Sequence, residues 1–180
     1  YKEGKHNEAS EKYQLISNLY KETDVKPDAD YVMGQIRFVK EDYSSSLRLL
    51  KPILPGNANY VYARYTMSMC YFKQKQLKEA SACLNDIIDI SPNNMSEQEL
   101  QDISHVKLVH LSYDAEPPQF LDAVKHYSAV APTSTKYDEA LLGLAWTFLR
   151  LQKYKETARA VNDLILNYPN SFLVGEAHLL

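Results

Sequence analysis

The sequence predicts an all-α fold in which pairs of antiparallel helices repeat along the chain. Two stretches, residues 61–94 and 138–171, share one pattern of apolar residues at helical spacing and align without a gap. A small residue also recurs at a near-constant interval in the second helix of each predicted pair. Repetition of this kind indicates stacked helix pairs rather than one closed core.

Residues 61–94 show why the helices are expected to pair. Met67 and Tyr71 lie one helical turn apart in the first segment, and a four-residue polar joint separates that segment from the second. A joint this short forces the two helices to run antiparallel. Ala80 leaves room for the two backbones to approach closely, and Leu84 is expected to fill the seam between them.

The small-residue position can be followed through the whole chain. It falls, in order, at Ala9, Ser46, Ala80, Ala123 and Thr157. The steps between these positions are 37, 34, 43 and 34 residues. The two longer steps are expected to be absorbed by a longer turn or a longer helix, whereas an unrelated helical bundle would not explain the regular spacing.

Residues 61–94 also carry four positions of a known repeat pattern, namely Tyr71, Ala80, Leu84 and Pro92. Their spacing and the 34-residue length resemble the tetratricopeptide repeat, although Arg64 and Ser68 stand where the family pattern has Trp and Gly. The resemblance implies a tetratricopeptide-like α-α superhelix, which is a right-handed solenoid of antiparallel helix pairs.

The chain is expected to form a single solenoid fragment over residues 1–180. Its repeats are predicted at residues 1–27, 28–57, 61–94, 95–132 and 138–171, with the start of a further repeat at 172–180. Both ends are expected to fall inside a repeat, with Gly4 ending an incomplete first helix. Ser96 and Glu99 are predicted to form a capping box that opens the long helix of the fourth repeat.

Composition argues against several classes of function. The net charge is −3, with acidic and basic residues interleaved and no basic stripe, so nucleic acid is not an expected partner. The longest apolar run, residues 140–149, is far shorter than a membrane span, so no transmembrane segment is expected in this chain. Cys70 and Cys83 are expected to be free thiols packed as small apolar side chains.

No catalytic or cofactor-binding constellation is visible in the sequence. There is no glycine-rich phosphate loop, no cysteine pair at zinc spacing and no nucleophile elbow. The protein is therefore predicted not to be an enzyme, and neither a cofactor nor a metal site is predicted. A remote alternative is a helical metal-binding protein or enzyme that uses His105, His110 and His126.

The family resemblance places the functional surface on the first helix of each pair, which lines the concave face of family members. On that face we expect Tyr31, Gln35, Phe38, Tyr62, Tyr65, Met69, Phe72, Leu142, Trp146 and Leu149. Together they would form an aromatic, weakly charged groove. Family members that clamp the terminal carboxylate of a peptide use Lys, Asn and Arg, and that clamp is missing here because the matching positions are Tyr31, Val32, Gln35, Tyr62 and Thr66.

The predicted function is a protein–protein interaction scaffold that presents this groove to a segment of a partner protein. Tyr65 and Trp146 are its expected anchors, because aromatic residues are enriched among the side chains that dominate binding energy. The alternative is that the same residues pack between neighbouring repeats or against a second copy of the chain. The protein would then be a self-associating structural module, and possible homo-oligomer, within a larger complex.

A second resemblance concerns the end of the fifth repeat. The run Tyr-Pro-Asn-Ser at residues 168–171, followed by Glu176 and Ala177, resembles the joint of bacterial envelope tetratricopeptide proteins. Those proteins are the outer-membrane assembly lipoproteins and the Tol-Pal coordinators. The resemblance implies a role in cell-envelope assembly and a periplasmic or outer-membrane-associated location.

Overall fold

The computed structural model describes residues 3–19, 25–114 and 118–180, and within these ranges the backbone forms helices and turns without a strand. The helices are α1 Glu3–Leu19, α2 Val25–Val39, α3 Tyr43–Leu50, α4 Tyr60–Lys73, α5 Leu77–Ile88, α6 Met95–Asp114, α7 Phe120–Ala129, α8 Tyr137–Arg150, α9 Tyr154–Asn167 and α10 Val174–Ala177. The predicted all-α class is confirmed.

The chain divides into two compact units, unit 1 over Tyr1–Asp89 and unit 2 over Ile90–Leu180. In unit 1, α2 packs against α3 and α4 against α5, and α2 also contacts α1 and α4. In unit 2, α6 packs against α7, α7 against α8, and α8 against α9. Each unit therefore contains helix pairs joined by short connections, while the repeat boundaries and the single-fragment arrangement stay predictions.

Three helix joints share one backbone conformation. Glu41, Lys75 and Gln152 each follow a first helix and adopt left-handed φ angles of 59°, 60° and 59°. The N–H of the next residue donates to a carbonyl five residues earlier, in the pairs Asp42–Arg37, Gln76–Tyr71 and Lys153–Phe148, at 2.8 to 2.9 Å. This helix-ending motif reverses the chain within a few residues, so it produces the antiparallel pairing.

Four of the five small-residue positions lie buried in the helix pairs, whereas Ala9 is half-buried. The four buried positions expose 4% of their surface or less, namely Ser46, Ala80, Ala123 and Thr157. The Ser46 hydroxyl also donates to the Gly34 carbonyl at 2.8 Å, which ties α3 to α2. Because these side chains are small, the helices approach closely and Leu50 and Leu84, both 0% exposed, fill the remaining space.

Side-chain hydrogen bonds join the start of the first helix in one pair to the turn that precedes the first helix of the following pair. The pairs are Asn59 to Asp28 at 2.7 Å in unit 1, and Ser134 to Glu99 at 3.1 Å and Ser171 to Asp138 at 2.6 Å in unit 2. In each pair a carboxylate accepts from an amide or a hydroxyl. These bonds therefore fix the turn of one repeat against the helix of the repeat before it.

The first predicted helix boundary is wrong. α1 runs from Glu3 to Leu19 without a break, so Gly4 does not end a helix. A glycine inside a helix costs only about 1 kcal/mol of helix stability relative to alanine, and the helical turns that follow Gly4 in α1 outweigh that cost.

The predicted capping box of the fourth repeat is also wrong by two residues. α6 begins at Met95, and the Asn94 side chain accepts the N–H of Glu97 at 2.9 Å. The Glu97 carboxylate in turn accepts the N–H of Asn93 at 2.8 Å. The reciprocal cap is therefore Asn94 with Glu97, because an amide oxygen at this position is as good a helix cap as the Ser96 hydroxyl.

Candidate functional site

Seven of the ten predicted site residues lie in unit 1, on one side of α2 and of α4. They are Tyr31, Gln35 and Phe38 on α2, and Tyr62, Tyr65, Met69 and Phe72 on α4. Steps of three or four residues keep them on one side of each helix. All seven are half-buried, whereas Met33 and Ile36 of α2 and Met67 of α4 are buried in the core. We name the seven residues the α2–α4 face.

A tight contact between α2 and α3 lies behind the α2–α4 face. A Cβ atom placed on Gly34 would lie 2.5 Å from Leu50 Cδ2 and 2.7 Å from its Cγ. Leu50 is 0% exposed, so its side chain is enclosed within the core. Gly34 is therefore the residue that allows α2 to lie this close to α3.

Gln35 and Thr66 link the two helices of the face. The Gln35 amide donates to the Thr66 hydroxyl at 2.5 Å, and that hydroxyl donates to the Tyr62 carbonyl at 3.0 Å. Thr66 is only 5% exposed. The polar groups at the centre of the face thus hold α2 against α4, and the aromatic and Met side chains supply the rest of the surface.

Phe38 extends the face to the end of α2. Its ring packs against that of Tyr43 at the start of α3, with ring centroids 5.9 Å apart and an interplanar angle of 54°. Next to Phe38 in the chain, Arg37 forms an ion pair with Asp42 at 3.6 Å. The end of the face is therefore aromatic, and the adjacent charges neutralise each other.

The other three predicted site residues lie on α8, in unit 2. Leu142 is 7% exposed and packs with Leu164 and Ala177, so it is a core residue and not part of an exposed surface. Trp146 is 37% exposed, and its indole N–H donates to Glu176 at 2.8 Å. Leu149 is half-buried. The difference from the prediction arises because Leu142 lies in a core cluster that also includes Leu164 of α9 and Ala177 of α10.

Two residues that shape these surfaces were not predicted in their observed roles. Thr66 was considered only as a position of the missing carboxylate clamp, although it follows Tyr62 by one helical turn and helical spacing would have placed it in the face. Glu176 lies 30 residues after Trp146, and no local sequence pattern signals a contact over that distance.

Arg64 and Ser68 replace the Trp and Gly of the family pattern. The Arg64 guanidinium lies over the Tyr60 ring at 5.0 Å, and its Nε atom is 3.3 Å from Asp86. A planar guanidinium stacks favourably on an aromatic ring, so Arg64 packs on α4 through Tyr60. Ser68 is 0% exposed and donates to the Tyr65 carbonyl at 2.7 Å.

The structure brings together two of the three histidines considered as metal ligands. The Nδ1 atoms of His105 on α6 and His126 on α7 are 3.0 Å apart, whereas His110 is exposed. Within the described ranges, no group of three or more His, Cys, Asp or Glu side chains is arranged to hold a metal ion. A centre built from all three histidines therefore does not form.

Both cysteines are free and buried, as predicted, with Cys70 0% and Cys83 4% exposed. Burial raises the pKa of the Cys83 thiol to about 11, although nearby Arg64 opposes the shift. Burial also raises the pKa of Cys70, and its hydrogen bond with Ser46 opposes that shift.

Because the thiolate is the reactive form of cysteine, we expect neither thiol to react readily with Ellman's reagent in the native protein at pH 8. Both should react at once after unfolding in urea, which a spectrophotometric thiol count will show. Rapid reaction of Cys70 or Cys83 without denaturant would contradict the buried environment of that thiol.

Antiparallel helix pairs with small buried residues define a protein built from helical repeats. Two family models of the tetratricopeptide repeat match the chain, one at residues 39–100 and one at residues 139–171, and together they span more than half of it. The chain therefore belongs to the tetratricopeptide-repeat family. Proteins of this family generally mediate protein–protein interactions and are typically non-catalytic.

Two solved structures have a similar fold. YrrB, a tetratricopeptide-repeat protein described as having an unusual peptide-binding site, gives a TM-score of 0.62 at 16% identity, over 98% of this chain and 87% of that chain. A repeat protein from Bacteroides fragilis, BF2334, gives a TM-score of 0.54 at 20% identity, over 96% of this chain and 88% of that chain. These likenesses confirm the predicted fold class, a tetratricopeptide-like helical solenoid. No curated protein matches the sequence.

In the part of the chain that the structure describes, no helix has both the length and the apolar character needed to cross a membrane.

Proposed function

We propose that the protein is an interaction scaffold whose α2–α4 face binds an apolar segment of a partner protein. The proposal rests on one observation. Six half-buried aromatic and Met side chains lie on α2 and α4, namely Tyr31, Phe38, Tyr62, Tyr65, Met69 and Phe72. Aromatic side chains offer a large rigid contact area, and Met adapts to irregular surfaces. The general role of the family supports a protein or peptide partner.

The chemistry of the face favours an internal segment over a free carboxyl terminus. The positions that hold the carboxylate clamp in other family members carry no Lys, Arg or Asn here. Two of those positions, Gln35 and Thr66, are hydrogen-bonded to each other. Affinity would therefore come from burying apolar side chains of the partner, with little contribution from ion pairs.

Selection of short peptides from a displayed library tests this proposal. We expect selected peptides to carry aromatic or large aliphatic residues and to bind equally well, within about threefold, as free acids and as C-terminal amides, because no charge-assisted contact to the carboxylate is available. Fluorescence polarisation measures both affinities. A tenfold or larger loss of affinity on amidation would contradict recognition of an internal segment. Failure to select any peptide would count against the α2–α4 face as a binding surface.

The second candidate function is self-association through the same face. It is favoured by the aromatic character of the α2–α4 face, since a second copy of the chain would cover these rings equally well. It makes a different prediction, namely that the wild-type chain is a dimer and that Tyr62→Ala converts it into a monomer. Sedimentation equilibrium of both proteins distinguishes the two functions.

A bacterial cell-envelope setting is a separate proposal that rests only on the resemblance of residues 168–171, followed by Glu176 and Ala177. Tyr168 donates to the Pro132 carbonyl at 2.9 Å, and Ser171 donates to Asp138. These contacts hold the repeat together and would serve that purpose in any compartment. Fractionation of cells that express the full-length protein tests the location directly.

A further inference from the structure

Two imidazole rings meet in unit 2, whereas the α2–α4 face belongs to unit 1. The Nδ1 atoms of His105 and His126 are 3.0 Å apart, and the centroids of the two rings are 5.3 Å apart. The centroid separation exceeds the nitrogen separation by about two ring radii, so the two nitrogens face each other nearly head-on. Both rings are half-buried between α6 and α7.

This arrangement fits a shared proton better than a metal ion. A chelated metal needs two lone pairs that converge on a third point, whereas these nitrogens point at each other. A neutral imidazole has one N–H donor and one acceptor nitrogen, so one ring donates and the other accepts. A first added proton preserves the contact, because the resulting imidazolium N–H still donates to the neutral ring. A second added proton leaves two N–H groups and two positive charges face to face.

We propose that the His105–His126 contact is an acid-sensitive latch between α6 and α7, which opens when both rings are protonated. The latch joins the first and second helices of one repeat, where Asp102 forms a second tie by accepting the N–H of Ala131 at 3.1 Å. Opening it would loosen this helix pair in unit 2 and leave the hydrogen bonds of unit 1 intact.

The surroundings of the rings disfavour their protonation. The pKa of His105 is lowered to about 4, mainly by burial and further by the charges of His126 and Lys125. Burial and then Lys125 also lower the pKa of His126, whereas Asp122 one turn earlier acts to raise it. Asp102 lies one turn before His105 on α6. On α8, the carboxylate of Glu139 helps to raise the pKa of Tyr127, the residue that follows His126 in the chain.

The sign of the effect follows from linkage. The unfolded chain binds protons on these histidines below a pKa of about 6.5, but the folded chain resists binding them until the pH is much lower. The stability that these neutral histidines contribute is therefore present above pH 6.5, and it is lost as the pH decreases towards 4. For His105 alone, the unfolding constant should rise about 20-fold between pH 7 and pH 5.

Urea unfolding at pH 7 and pH 5 tests the latch, with fluorescence as the readout. Trp146 is the only tryptophan and lies in unit 2, so its emission reports on the unit that contains the latch. By the linkage relation, His105 should raise the unfolding constant of the wild type about 20-fold between pH 7 and pH 5. We expect this rise to be lost in the double variant His105→Gln/His126→Gln and kept in the matched control His110→Gln. Equal pH dependence in the wild type and the double variant would overturn the proposal.

Imidazole NMR of the wild-type protein provides a second test that does not depend on the variants being folded. Long-range proton–nitrogen spectra should show one of the two rings protonated at Nδ1 and the other at Nε2 near neutral pH. Both rings should titrate below the ordinary histidine pKa of about 6.5. Two rings that both carry their proton on Nε2, or that titrate at that ordinary value, would refute the shared-proton contact.

Discussion

Replacing Gly34 with Ala is expected to destabilise the protein, and replacing Leu50 with Ala in the same chain is expected to relieve part of that loss. The added methyl group would lie 2.5 Å from Leu50 Cδ2. Overpacking a core in this way costs about 1–3 kcal/mol, of which about 1 kcal/mol is returned by the better helix propensity of alanine.

The Leu50→Ala variant alone should lose about 2–5 kcal/mol, because it leaves a cavity at a fully buried site. In the double variant the methyl group at position 34 enters that cavity. The two effects should therefore combine to less than their sum, with a coupling energy on the order of 1 kcal/mol. Chemical denaturation of the wild type, both single variants and the double variant measures this coupling.

Gly175 provides the matched control for the same substitution. It lies in α10, and a Cβ atom placed on it meets nothing within 4 Å. Gly175→Ala should leave stability unchanged or raise it slightly. Strict additivity of the Gly34 and Leu50 substitutions would show that Leu50 is not what makes glycine necessary at position 34.

Truncating Tyr65 is expected to weaken partner binding more than it weakens folding. Tyr65 is half-buried in the middle of α4, within the α2–α4 face. Loss of a central aromatic anchor costs about 2 kcal/mol of binding energy, or about a 30-fold rise in Kd. A core aromatic would instead cost about 3–5 kcal/mol of folding stability when truncated. The two measurements on Tyr65→Ala, peptide affinity and urea unfolding, therefore separate a binding role from a packing role.

The equivalent test in unit 2 uses Trp146→Ala, with Tyr154→Ala as its control. Both side chains are aromatic and exposed, at 37% and 65%, but only Trp146 belongs to the predicted groove. Weaker binding by Trp146→Ala with unchanged binding by Tyr154→Ala would support a binding surface on α8 itself. If Tyr65→Ala or Trp146→Ala unfolds the protein while binding per folded molecule is unchanged, the anchor role of that residue is refuted.

The helix pairs could be predicted from the sequence because they depend on local patterns. Apolar spacing located the helices, and the small residue of each second helix marked where its partner approaches. The four positions from Ser46 to Thr157 are buried for this reason. The non-glycine left-handed joints at Glu41, Lys75 and Gln152 were not predicted, since those residue types rarely adopt that conformation and nothing in the local sequence requires it.

The candidate site was harder to predict because exposure depends on elements that are distant in the sequence. Helical spacing placed Leu142 on the same side of α8 as Trp146, but Leu142 is buried in a cluster with Leu164 of α9 and Ala177 of α10. Similarly, the sequence offered His105, His110 and His126 as one group, although a five-residue spacing places His105 and His110 poorly for a shared contact. The contact that forms is between His105 and His126, and it depends on how α6 and α7 pack against each other.

The hydrogen bonds that join successive repeats within each unit connect residues 31 to 36 positions apart. A chain with such ties has a low contact order, and it can close them one after another without waiting for distant segments. At a synthesis rate of about 5–20 residues per second, the partner of each newly emerged repeat leaves the ribosome about 2–7 seconds later. Each apolar seam is therefore exposed to other nascent chains only briefly before the next repeat covers it.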